Sequence, residues 1–270
     1  RHGIYEERNQ ILPKLQAGVR FFAIAASLAS YFLVGVNQRL PIITAGCISI
    51  GAGIVALLFG QDNYGRVKGN NIFRMLQLQA KSFIKEEKLL LLSLRTIVCH
   101  VPFVAFVLFW QIYATEVIHI ETKYLAFFLL VFMVLLMLGN YAVSIFTRKI
   151  SNLGTSIAGI IISILGFVLL FVLPSFPGFV MGAGLIEFGF GVEQSATSTW
   201  MCDCIESETR SAYSSIFSTI QSVAGFIIMN LLGVLTEWNG VNAAWCVAAV
   251  AMGVDIVILV IFSRKYRNRV

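Results

Sequence analysis

Residues 177–201 read PGFVMGAGLIEFGFGVEQSATSTWM. The stretch is long and apolar enough to cross a bilayer, yet Glu187 and Glu193 lie in its interior. Insertion scales put a charge at the centre of a spanning helix at about 3 kcal/mol, so a position facing lipid is disfavoured. A protein cavity, a water path or a cationic partner is the expected setting. At 3.6 residues per turn, Gly184, Glu187, Gly191, Gln194 and Ser198 share one stripe. That stripe is small and polar, so a neighbouring helix, water or a solute can approach the carboxylate. Phe179, Met181, Ile186, Phe188 and Phe190 occupy the other faces, for lipid or packing. The remaining chain is expected to be the scaffold that makes this span tolerable.

Composition supports a membrane setting for the whole chain. Of 270 residues, 58% are hydrophobic and only 13% charged, and the mean hydropathy is +0.83, far from the usual water-soluble domain. The net charge of +6 does not point to nucleic acid, because the basic residues punctuate apolar runs and form no single patch. Cys47, Cys99, Cys202, Cys204 and Cys246 are scattered and define no disulfide framework. Cys202 and Cys204 form a C-x-C without the His or second Cys pair that zinc requires, so neither metal nor cofactor is expected. No catalytic triad or phosphate loop is recognisable, and an enzyme is the weakest class. With no initiating Met and no leader, the chain reads as the interior of a longer protein.

Eight apolar segments follow in order: residues 17–36, 42–60, 89–114, 123–146, 152–173, 177–201, 213–235 and 242–262. Each is about the length that a bilayer requires of a helix, which predicts an all-α, polytopic protein with eight transmembrane helices. The segment 152–173 places Ser156, Gly159, Ser163 and Gly166 on one stripe, and 213–235 does the same with Ser215, Ser218, Ser222 and Gly225. Small residues at that spacing allow close helix contact. Residues 61–88 are the longest polar segment. Ile72, Leu76, Phe83 and Ile84 there alternate with basic and amide residues, which suits either an interfacial helix at an anionic surface or a solvated linker.

Counting Lys and Arg by segment fixes an orientation. With a cytoplasmic amino end, seventeen fall inside and two, Arg39 and Lys123, outside, while Arg95 remains within a span. The bias predicts that both chain ends are cytoplasmic, and the plasma membrane is the expected location.

The arrangement resembles the major facilitator superfamily. A pair of spans, a long basic loop, then six spans and a basic tail look like the last eight helices of a twelve-helix transporter. YEERNQILPKLQAGVRFFAIAASLASYFLVGVNQRLPIITAG is similar to the family's approach to the fifth helix, that helix and the turn into the sixth. CIESETRSAYSSIFSTIQSVAGFIIMNLLGVLTEWNG is similar to the passage from the tenth to the eleventh. FTRKISN, residues 146–152, is a weak echo of the family's basic glycine turn and lacks its glycine and aspartate. The proline of the drug antiporters' fifth helix is also missing from residues 17–36, which leaves drug and proton exchange open. The resemblance implies residues 1–62 as the last two helices of an incomplete N-terminal half-bundle, 63–88 as a basic cytoplasmic linker and 89–270 as a six-helix C-terminal half-bundle. It implies proton-coupled secondary transport of a small solute by alternating access, with the lipid bilayer and the missing N-terminal helices as partners. A membrane interaction or assembly module that does not transport is the alternative.

The resemblance also makes 89–114 and 177–201 cavity-lining helices, gathering Arg95, His100, Glu187, Glu193 and Gln194 around one space. Arg95 lies about six residues, roughly 9 Å, from the cytoplasmic end of its span, and Glu193 about eight residues, roughly 12 Å. Two readings stand side by side: an ion pair between them, which accounts for both charges, and an Arg95 that snorkels to the cytoplasmic interface. Glu187 is deeper, and a carboxyl group that is costly as an anion suits proton coupling as well as a structural role. His100, sharing a stripe with Thr96 and Gln111, reads as a core histidine, and Asp255, in a span peripheral in the family, as a structural hydrogen-bonding group.

Overall fold

The computed structural model of the protein describes residues 39–60, 81–147, 150–205 and 209–266, together with 14–15, 17–19, 21–26, 28–29, 32–33 and 36–37. Its long helices are α1 (Leu40–Phe59), α2 (Glu87–Ile112), α3 (Leu125–Phe146), α4 (Asn152–Val172), α5 (Phe176–Cys204), α6 (Arg210–Asn239) and α7 (Val241–Tyr266). No strand occurs among the described residues.

Six of these helices are long and apolar enough to cross a membrane, by length and composition. α5, with 29 residues, is longer than any bilayer crossing needs, but Glu187, Glu193 and its polar last turns leave it outside that set. The expected first span, residues 17–36, lies partly outside the described residues. Eight spans therefore stand as six by composition, with α5 threaded through the bundle between them.

Helix ends follow local chemistry. The Ser151 and Ser175 hydroxyls accept from the Gly154 and Gly178 amides at 3.1 and 3.3 Å, starting α4 and α5. Pro177 follows in the first turn of α5, where no helical amide is lost. One residue, Gly240, separates α6 from α7, and its φ of 74° with ψ of 170° is open only to glycine. α2 ends in a π-helical turn, Tyr113–Val117.

The bundle is held by backbone contact and by aromatic rings. At the crossing of α4 and α5, a Cβ on Gly159 would lie 2.7 Å from the Glu193 amide nitrogen. One on Gly189 would lie 2.2 Å from the Ser163 Oγ and 2.7 Å from the Gly159 carbonyl oxygen. The small stripe of α4 is thus the seam against α5, with Ser156 and Ser163 fully buried. The corresponding stripe of α6 is divided: Ser215, Ser218 and Ser222 are exposed, Gly225 lies against His100 of α2, where a Cβ would be 2.9 Å from Nε2, and Tyr213, Phe217, Ala224, Ile228 and Leu232 face inward. Phe106, Tyr113, Phe132, Phe167, Phe179 and Trp245 form a closed aromatic layer in the half of the bundle where α2 ends and α7 begins. The Tyr113 hydroxyl donates to the Leu170 carbonyl at 2.6 Å and ties that layer to the end of α4.

Most of the polar linker lies outside the described residues, and its last turn differs from an interfacial helix. Lys81–Lys85 is helical, but Phe83 is buried edge-on against Tyr213 and Phe217 of α6, at 5.5 and 5.2 Å between ring centres. Helix ends near this point are fastened by Lys88, which donates to the Cys204 carbonyl at 2.6 Å, and by the Lys265–Glu87 ion pair. Arg210 donates to the Cys202 and Ile205 carbonyls at 2.7 and 3.1 Å, placing a cation at the negative end of α5.

Candidate solute cavity

The half of the bundle opposite the aromatic layer, where α2 begins and α7 ends, contains a cavity of about 330 Å³. Arg95, Thr96, Cys99, His100 and Phe103 come to its wall from α2, Phe190, Glu193, Gln194, Thr197 and Ser198 from α5, Gln221 from α6, and Met252 and Asp255 from α7. Phe103 and Phe190, 6.1 Å apart between ring centres, form its floor. Phe190 also packs against Phe106 at 6.3 Å, so the floor is continuous with the aromatic layer.

Arg95 is the centre of the polar wall and is 2% exposed. Its Nη2 donates to Glu193 Oε1 at 2.5 Å and to Thr197 Oγ1 at 2.9 Å. The same nitrogen approaches Asp255 Oδ2 and Ser156 Oγ at 3.4 and 3.5 Å. Two hydrogens cannot serve four acceptors, so the two shortest contacts are the hydrogen bonds that matter. Arg95 Nε lies 3.1 Å from Asp255 Oδ1, an ionic contact whose angle falls short of a hydrogen bond. Thr197 donates to Glu193 Oε1 at 2.7 Å. Having spent its one proton there, it must accept from the Ser156 hydroxyl at 2.9 Å. The Trp200 ring covers the guanidinium from 5.7 Å. One cation thus joins α2, α4, α5 and α7.

Arg95 therefore does not snorkel to the interface; it is held inside by two carboxylates. His100 is not a core histidine. It is half-buried on the cavity wall, stacked on Phe103 at 5.6 Å, with Nδ1 3.0 Å from the Gln221 amide nitrogen of α6. Gln194 reaches the same cavity and is exposed in it.

Glu187 is 6% exposed and sits six residues before Glu193, about 9 Å along the axis and beyond the Phe190 floor. It is not among the described residues that line the cavity. The stripe drawn through Glu187 divides between two environments: Gln194 and Ser198 face the cavity, while Gly191 meets Leu136 and Asn140 of α3. Asn140 accepts from Ser195 at 2.5 Å on that seam.

Sequence reasoning did not bring Asp255, Thr197, Ser156 or Trp200 to this site: it read Asp255 as a structural hydrogen-bonding group and Ser156 as part of a helix-contact stripe, and it passed over the other two. For Asp255 the signal was present: it lies seven residues from the end of the segment 242–262, roughly 10 Å, the depth of Arg95 and Glu193. The expected periphery of the last span misdirected that reading, because α7 packs directly on α2 and α4. Thr197 and Ser156 carry no such signal, since hydroxyls are common on membrane helices.

Among the described residues no three His, Cys, Asp or Glu side chains gather as a metal site. The curated proteins include no match to this chain. The sequence model described as Major Facilitator Superfamily matches residues 6–229. That span covers most of the chain and runs through helices α1 to α5 and most of α6, which carry every cavity residue named above except Met252 and Asp255 of α7, and the chain belongs to the major facilitator superfamily of membrane transporters.

Proposed function

We propose that this membrane transporter moves a small solute by alternating access, that the cavity around Arg95, Glu193 and Asp255 is its solute site, and that transport is coupled to protons. In this reading residues 89–270 are one six-helix half-bundle, 63–88 a basic cytoplasmic linker and 1–62 two helices of the other half, within a twelve-helix protein whose two chain ends face the cytoplasm of a plasma membrane. The observation that carries the reading is a cavity floored by aromatic rings, with the buried charges of Arg95 and Asp255 and the part-buried Glu193 reaching it from three different helices. Charges at that depth hold helices together in one state and can be exchanged for a solute or proton in another. That α1 has no buried residue fits a helix whose partners belong to the other half.

Glu193 and Asp255 are the coupling candidates beside the solute, and Glu187, past the floor, is a separate one. The test uses proteoliposomes of the full-length protein with a pH-sensitive dye inside. Amines, sugars and carboxylates are added in turn, and solute-dependent proton movement is read. No solute-dependent signal from any class removes the coupling. Solute movement that survives Glu187→Gln with an unchanged pH profile removes Glu187 from it and leaves the cavity pair.

A further inference from the structure

We infer that the cavity takes a monovalent organic cation with an apolar or aromatic body. The inference rests on the transporter reading for its purpose and on the cavity alone for its chemistry. Among the described residues of the wall, the carboxylates of Glu193 and Asp255 face a single guanidinium, Arg95. The other titratable groups there do not redress the balance. His100 accepts through Nδ1 from the Gln221 amide, so that nitrogen carries no proton and the ring is neutral. Cys99 donates its thiol hydrogen to the Thr96 carbonyl at 3.4 Å and is likewise neutral. One negative charge is left over on the wall of a cavity that opens to the outside past the exposed Gln194 and Gln221, and an incoming cation is favoured there.

The walls select the kind of cation. Phe103 and Phe190 present ring surfaces, and Met201 and Met252 present thioethers. These groups reward a weakly hydrated, polarisable cation such as a quaternary ammonium, and they offer nothing to replace the hydration shell of a small metal ion. A volume of about 330 Å³ lies at the lower end of small-molecule pockets, roughly 300–1,000 Å³.

The full-length protein in lipid nanodiscs is titrated by calorimetry with three probes of matched shape: benzyltrimethylammonium, its neutral carbon counterpart neopentylbenzene, and the anion 3-phenylpropanoate. The cation is expected to bind at least about tenfold more tightly than either of the others. Asp255→Asn and Glu193→Gln, each leaving one carboxylate opposite Arg95, are expected to abolish that preference. Equal binding of the neutral probe, tighter binding of the anion, no binding of the cation, or a preference untouched by both substitutions overturns the assignment. Should both variants unfold, the ranking of the three probes on the unaltered protein still decides it. Uptake of labelled benzyltrimethylammonium into vesicles separates the two claims. Cation binding without any transport keeps the site and removes the transporter reading; transport by a protein that prefers the neutral or anionic probe does the reverse.

Discussion

Replacing Arg95 by Gln tests the charge cluster most directly. The substitution removes a side chain that is 3% exposed and leaves Asp255, 2% exposed, and Glu193, 17% exposed, without their cation. Removing one member of a buried ion pair costs on the order of 3–5 kcal/mol, because the remaining charge is left uncompensated rather than because the pair is strongly attractive. Two stranded carboxylates put Arg95→Gln at the upper end of that range. Asp255→Asn leaves the bond to Glu193 intact and is expected to cost less, about 1–3 kcal/mol. The triple variant Arg95→Gln, Glu193→Gln, Asp255→Asn keeps the shapes and removes every charge, so it should recover most of the loss. The measurement is reversible unfolding of the four proteins in mixed micelles, with fluorescence of the tryptophans as signal. A triple variant no more stable than Arg95→Gln, or a single Arg95→Gln within about 1 kcal/mol of the parent, would refute the idea that charge compensation holds α2, α5 and α7 together.

The remaining expectations concern packing and topology. Gly189→Val places a branched side chain where even a Cβ would sit 2.2 Å from Ser163, so α4 and α5 must separate; a loss of about 1–3 kcal/mol in the same unfolding assay is expected, and a neutral result removes the seam. Gly159→Ala presses on the Glu193 backbone itself and should weaken cation binding as well as stability. Tyr113→Phe deletes the bond to the Leu170 carbonyl in the aromatic layer and should cost about 1 kcal/mol without changing ligand preference. Gly240→Ala forces a side chain into a backbone region reserved for glycine, at about 1–3 kcal/mol. In a background without the five cysteines, an impermeant maleimide added to intact cells should label Glu237→Cys but not Ile150→Cys; the opposite pattern reverses the orientation.

The depth of Arg95 and Glu193 was legible in the sequence, because both lie a countable number of residues from a charged end and helical rise is constant. The α4 stripe of Ser156, Gly159, Ser163 and Gly166 was legible for the same reason: periodicity says which residues share a face. What periodicity omits is the partner of that face. The serines of α6 have the same spacing as those of α4 and are exposed, since the seam is set by what the neighbouring helix offers and not by the stripe itself.

His100 illustrates the other limit, for its apparent stripe partner Gln111 lies on its own helix while its hydrogen-bond partner Gln221 is 121 residues away. Glu187 and Gln194 share a stripe on paper but are divided by the Phe103–Phe190 floor, which three-dimensional packing alone supplies. The sequence by itself determined that this is a membrane-spanning helical protein and that its buried charges need company, because hydropathy and the cost of a charge in lipid are properties of residues in order. Only the tertiary structure decided that the company is Asp255 together with Glu193, and that the space beside them is a cavity. Those are distances between helices, and rotation of each helix about its own axis fixes them.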